Sequence, residues 1–233
     1  MLFGWFYFDW TILILVPAMV FSVWAQIKVS STFDKCAKIM TARRITGAAA
    51  ARRVLDSNCL YDVKIERVAG HLSDHYDPRT NVIRLSESVH DSISAAAIGV
   101  ACHEAGHAVQ HAKNYFPIRV RSAIIPVTRF GSALSMPLFF IGLIMATDAL
   151  LLAGIILYCA VTFFQLVTLP VEFNASARAM EAIRTSGSFS PDECDAARKV
   201  LTAAAMTYVA ALATSLLTLL RLVILAGGRG NRD

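Results

Sequence analysis

Four stretches of this chain are apolar for long enough to cross a lipid bilayer: Trp10 to Val29, Ser122 to Thr147, Ala149 to Leu169 and Ala203 to Leu225. The bilayer interior offers no water to backbone N–H and C=O groups, so an apolar run of about 20 residues satisfies them by becoming an α-helix. The fold class follows: a mainly α membrane protein with about four transmembrane helices. At 56% hydrophobic residues the chain is too apolar to be wholly soluble.

Orientation is read from charge. Lys28, Lys35, Lys38, Arg43, Arg44, Arg52 and Arg53 follow the first apolar run, and Lys113, Arg119 and Arg121 precede the second. By the positive-inside rule this segment is cytoplasmic and the N-terminus faces out. The same bias accounts for the net charge of +5 without a nucleic-acid partner, since the basic residues are not interleaved with aromatics on a compact module. Residues 1–9 carry no Lys or Arg and no cleavage site follows, so the first run reads as a retained anchor with Trp10 and Trp24 near its ends. The second and third runs, separated by Asp148, read as a hairpin; Arg129, Pro126 and Pro137 shorten its first arm to Ser132–Thr147, with the earlier part at the interface. Four crossings place Arg229 and Arg232 outside. The expected organisation is an anchor (1–29), a cytoplasmic region (30–121), a transmembrane hairpin (122–169), cytoplasmic helices (170–202) and a last span (203–226).

The cytoplasmic region has the marks of a small α+β domain. Thr46 is placed to cap a helix over Gly47 to Asp56. Val63, Ile65 and Val68 alternate with charged residues as a strand does, and Val82, Ile83 and Leu85 suggest another. Between them, residues 70–81 are rich in turn formers. A strand edge beside an active site can add an extended peptide by β-pairing, so Asn81, Ile83 and Leu85 are candidate substrate contacts; an ordinary hairpin connection is the alternative. Ser190-Pro191-Asp192-Glu193 has the capping-box pattern with proline at N1, opening a helix that runs toward the last apolar block.

The chemistry is concentrated in His103-Glu104-Ala105-Gly106-His107. On a helix, residues four apart share a face, so both imidazoles can reach one zinc ion, and Glu104 beside them can take a proton from zinc-bound water. The flanking residues 94–113 permit a helix and contain no proline. A catalytic zinc usually takes a third protein ligand. His111 cannot supply it, because eight residues of helix rise roughly 12 Å from His103. Cys102 points about 100° away from the histidine face. Of the acidic residues Glu172 is best placed, at the cytoplasmic mouth of the third span. The five cysteines form no C-x-x-C pair, so neither a disulfide framework nor a zinc ribbon is indicated.

Glu172-Phe173-Asn174-Ala175-Ser176 resembles the Glu-x-x-Ala-Asp element of gluzincin-type membrane peptidases, including the HtpX-like and CAAX prenyl proteases, in which the Glu is the third zinc ligand. Ser176 stands where those families have Asp, the partner of a zinc histidine. A closer resemblance, over nearly the whole chain, is to the bacterial YugP-like membrane zinc metallopeptidases. It rests on Trp24-Ala25-Gln26, the loop from Gly70 to Thr80, Ala101 to His111, and Leu169 to Ser176. It implies zinc held by His103, His107 and Glu172, Glu104 as general base, and a protein or peptide substrate met at the bilayer. The family supplies no substrate. For the oxyanion, Tyr76, His75, His71 and Arg178 are available by type, and the sequence does not choose among them. Two rivals stand: a site-2-type protease with its motif inside a spanning helix, disfavoured by Asp91, Lys113 and the polar loop around this motif, and a non-catalytic zinc-binding scaffold or partner subunit.

Overall fold

In a computed structural model, which describes residues 10–70 and 73–228, the apolar runs become helices. A 3-10 segment (Trp10–Leu15) leads into α1 (Val16–Cys36). Later come α5 (Phe116–Ile144), α6 (Asp148–Thr185) and α7 (Pro191–Gly227). With α1 these are the four helices, among the described residues, that are long and apolar enough to cross a membrane. The first arm of the hairpin is one helix from Phe116 to Ile144, so the part before Ser132 is helical as well. Pro126 and Pro137 both lie inside an unbroken α5. Likewise Pro170 lies inside α6, so Glu172 does not open a helix but sits on one that continues from the apolar run. Each proline removes one backbone donor, a loss that long helices with packed neighbours tolerate.

The chain divides into two units. One takes the described residues of Met1–Trp24, Arg121–Leu166 and Val209–Asp233. Its helices approach closely at small residues, as lipid-embedded helices do. An added Cβ on Gly154 would meet Ser135 O and Phe139 N at 2.8 Å, and Phe139 itself is fully buried with Leu151 and Leu222. Hydroxyls join helices at Thr162–Ser215 (2.7 Å) and Ser22–Thr214 (3.1 Å), and Arg221 Nε donates to Thr11 Oγ1 at 3.0 Å.

The other unit, Ala25–Val120 with Val167–Tyr208, carries the His-Glu-x-x-His motif. Its middle is α4 (Ala95–Ala112), capped by Ser94, whose Oγ accepts from Ala97 N. Helix α4 is apolar nearly all round and correspondingly buried. It packs on α2 (Gly47–Ser57) through Ala50, Ala51, Val54 and Leu55. The expected cap is present, with Ala49 N donating to Thr46 Oγ1 at 3.2 Å. So is the capping box: Ser190 N donates to Glu193 Oε2 and Glu193 N to Ser190 Oγ. Glu193 Oε1 also accepts from Ala42 N, tying the start of α7 to the segment after α1.

Beside α4 lies a sheet of β1 (Lys64–Val68), β2 (His75–Asp77) and β3 (Val82–Ser86), in the order β1-β3-β2. Strand β3 pairs parallel with β1 and antiparallel with β2. This corrects two expectations. The segment read as a turn-rich loop contains β2, and β3 is the central strand, with no free edge for a peptide. Ile83 and Leu85 are fully buried in the core, so neither can touch a substrate. Asn81 is a turn residue in the left-handed region (φ 56°), between β2 and β3.

Helices α4 and α6 meet at Gly106, where an added Cβ would come within 2.8 Å of Ala175 O, a backbone atom with no freedom to swing aside. Gly106→Val is expected to cost roughly 1–3 kcal/mol by overpacking. Its thermal midpoint in detergent should fall below that of Gly227→Val, where nothing lies within 4 Å of the added Cβ.

Candidate metal centre

The close approach at Gly106 and Ala175 brings one turn of α4 against one turn of α6. From α4 come His103 and His107, one turn apart, with their rings edge to face at 4.7 Å between centroids. From α6 comes Glu172, which is almost completely buried. Its Oε2 lies 3.3 Å from His103 Nε2 and 3.5 Å from His107 Nε2. The ligand atoms of the three side chains all lie within 4.8 Å of one another.

The other nitrogen of each imidazole is occupied. His103 Nδ1 lies 3.1 Å from Ser176 Oγ, so the serine standing in the place of the usual Asp does reach a histidine of the motif. His107 Nδ1 lies 3.0 Å from Gln110 Oε1. The amide of Gln110 is fixed by its other end, since Nε2 donates to Val171 O at 2.8 Å and to Asn174 Oδ1 at 3.0 Å. A carbonyl only accepts, so the amide nitrogen must face Val171 and the amide oxygen must face His107. His107 Nδ1 therefore carries the proton, and in the neutral ring Nε2 offers a lone pair.

That lone pair points at a carboxylate oxygen. Two acceptors facing each other at 3.5 Å in a buried site need a cation between them, either a proton on the ring or a metal ion. Burial pulls the His107 imidazole down, but its hydrogen bond to Glu172 and the charges of Glu104 and Glu172 outweigh this and leave it raised. Burial pushes Glu172 up, but hydrogen bonds and charge from both histidines hold it below the usual carboxylate range. Two imidazoles and a carboxylate form a donor set suited to zinc, and both rings have an outer partner, as metal-binding histidines generally do. The residues present fit the ion.

Glu104, the residue expected to act as general base, lies close enough for its charge to act on His107. Glu104 is buried, with a relative exposure of 8%, and shares the wall of a cavity with His103 and Asp74. Asp74 accepts from Ser86 N at 2.7 Å and from Ser86 Oγ. Burial pushes its carboxyl up, the Ser86 bonds oppose that, and the charge of Glu104 adds to the rise.

With this geometry in view, comparisons with known proteins are decisive. Residues 11–227 match the family described as "Putative neutral zinc metallopeptidase". The chain belongs to this family. A relative from Bacillus subtilis (strain 168), "Putative membrane protease YugP", is 48% identical over 214 residues, covering 92% of this chain and 95% of that protein. No solved structure matches the chain.

Other residues singled out in the sequence lie elsewhere. Tyr76 Oη donates to Asn81 Oδ1 at 2.9 Å and its ring tilts against His111, in a different cavity. His75 is exposed, with Nδ1 2.9 Å from Ser73 O. Arg178 Nε donates to Asn174 Oδ1 at 2.8 Å, so it supports the Gln110 amide through Asn174. His71 lies outside the described residues. Burial raises the Cys102 thiol to about 12, which makes it inert as a ligand. Sequence reading missed Gln110, Asn174 and Asp74. Gln110 had a usable signal, a polar residue three positions after His107 on a helix otherwise apolar there.

Gln110→Leu removes the acceptor for His107 Nδ1 and is expected to weaken zinc binding about 10–100-fold, read by competition with a coloured chelator. Ser176→Asp should tighten it, because a carboxylate is the stronger acceptor for His103 Nδ1–H.

Proposed function

We propose that this protein is a membrane-integrated zinc-dependent metallopeptidase that hydrolyses peptide bonds of membrane-associated or misfolded proteins at the cytoplasmic face. The observation that carries this reading is a buried Glu104 placed beside the His103, His107 and Glu172 group, on a wall open to a cavity. A metal-binding scaffold has no use for a second buried carboxylate at that place.

When bound, zinc supplies a Lewis acid that polarises the scissile carbonyl and acidifies water. His103, His107 and Glu172 hold it, and Ser176 and Gln110 keep both rings turned with Nε2 inward. Glu104 takes a proton from the attacking water as its oxygen adds to the carbonyl carbon. As the C–N bond breaks, Glu104 passes that proton to the departing amine, which leaves as a neutral product. The low exposure of Glu104 excludes competing solvent and strengthens its interactions.

The cytoplasmic assignment rests on the basic residues between Lys28 and Arg121, most of which belong to the unit that holds the site. A site outside the bilayer core is supported by α4, which is shorter than the four apolar helices and is packed on a sheet and on α2. Glu172 likewise follows the apolar run Ala149 to Leu169.

Two experiments test this. Glu104→Gln is expected to keep its zinc and lose 10²–10⁴-fold in peptide hydrolysis, while Glu172→Ala loses zinc. Equal cleavage or complementation by Glu104→Gln would favour the scaffold role, and normal zinc content in Glu172→Ala would overturn the third ligand. For sidedness, a variant keeping only the exposed Cys59 should react with an impermeant maleimide in inverted vesicles and not in intact cells. The reverse pattern would place the site outside.

A further inference from the structure

The cavity that exposes Glu104 has a composition its catalytic wall does not require. It measures about 240 Å³. One side is formed by Asp74, His103 and Glu104; much of the rest is Val29 and Phe33 of α1, Val100 of α4, and Val200, Leu201 and Ala204 of α7. Three helices thus contribute an apolar surface that begins at the general base. A volume of this size is below the roughly 300–1,000 Å³ of sites that enclose whole small molecules, and it is far too small for a helix. Water in its apolar part would find few polar partners, which makes that part favourable for an apolar group to fill.

We propose that this cavity is the specificity pocket of the peptidase and takes one large apolar side chain, of the Leu, Met or Phe class, from the residue flanking the scissile bond. The inference rests on the peptidase reading and adds the substrate class. The geometry constrains the occupant. A peptide carbonyl in reach of Glu104 and His103 puts the neighbouring side chain within one side chain's length of the cavity mouth. Carboxylates at Asp74 and Glu104 repel an acidic side chain, and the walls of α1 and α7, whose polar members are Gln26, Thr207 and Tyr208, carry no cation to balance it. Glycine leaves the cavity without an apolar occupant and forfeits that burial. Preference therefore runs from large apolar side chains to small ones to acidic ones.

The test uses the full chain, zinc-loaded in detergent, with quenched peptides of one scaffold that differ at the residues on either side of the cut, the products being identified by mass spectrometry. The expected result is a kcat/KM at least tenfold higher for Leu than for Gly at one of those positions. Ala204→Phe, which fills the cavity, should lower that ratio at least tenfold at unchanged zinc content. Leu201→Ala, which enlarges it, should move the optimum from Leu toward Trp. A Leu-to-Gly ratio near one, or a ratio untouched by both variants, overturns the proposal. A second arm does not depend on turnover: a pair of zinc-directed hydroxamates bearing isobutyl or hydrogen is bound to the zinc-loaded protein and followed by calorimetry. Isobutyl should bind at least tenfold tighter, and Ala204→Phe should abolish the difference. Equal affinities in wild type overturn the pocket. If the wild type cleaves no more than Glu104→Gln, the peptidase reading fails, and the hydroxamate pair still decides the pocket.

Discussion

Everything in the metal-binding unit depends on holding acceptors face to face. His107 Nε2 and Glu172 Oε2 lie 3.5 Å apart, an arrangement that repels unless a positive charge sits between them. The repulsion is contained by the Gln110 amide. Through Nε2 it grips α6 at Val171 and Asn174, and through Oε1 it grips the His107 ring on α4. One side chain thus joins the two helices and sets a tautomer. Gly106 permits the approach that makes this short bridge possible, because any side chain there would meet the backbone of Ala175. A preformed pair of helices offers the cation a site without further ordering, which spares part of the entropy that binding would otherwise cost.

The hydrophobic effect organises the molecule in two ways. In the apolar runs, lipid removes the drive to bury side chains, so packing relies on close backbone approach and a few hydroxyl pairs such as Thr162 with Ser215. Around α4 a continuous core joins α2, the sheet, α4 and parts of α6 and α7. Helices α6 and α7 run through both settings. Helix α6 changes from uniformly apolar to mixed and α7 from mixed to apolar, and Glu172 falls just past the change in α6.

Chemistry written in local spacing was legible in the sequence. Two histidines four apart, a glutamate between them, a capping box and a run of twenty apolar residues each state their geometry within one or two helical turns. Glu172 was reachable by combining its place after the third span with family likeness, and the structure brings it to the histidines. Strand order was not legible, because β3 is central through pairings with residues on either side of a turn, and nothing in Val82 to Leu85 distinguishes a central strand from an edge. Direction along the segment was not legible either: Tyr76 lines another cavity and His75 is exposed, and of that segment it is Asp74 that reaches the cavity of Glu104. Nor was helix continuity through Pro126, Pro137 and Pro170 legible, because proline propensity is local and the packed neighbours that compensate it are not.

The buried thiol of Cys102 has a consequence for metal choice. It adjoins His103 in sequence, yet burial pushes it up to about 12, and it stands about 100° round α4 from that histidine. The centre is therefore built from imidazole and carboxylate alone. Such donors accept several first-row divalent ions, and their relative affinities follow the general series rather than any softness contributed by sulfur. Which divalent ion such a donor set takes would then depend on which ions the compartment supplies, while the absence of thiolate would leave it insensitive to oxidants that strip a cysteine-bound metal.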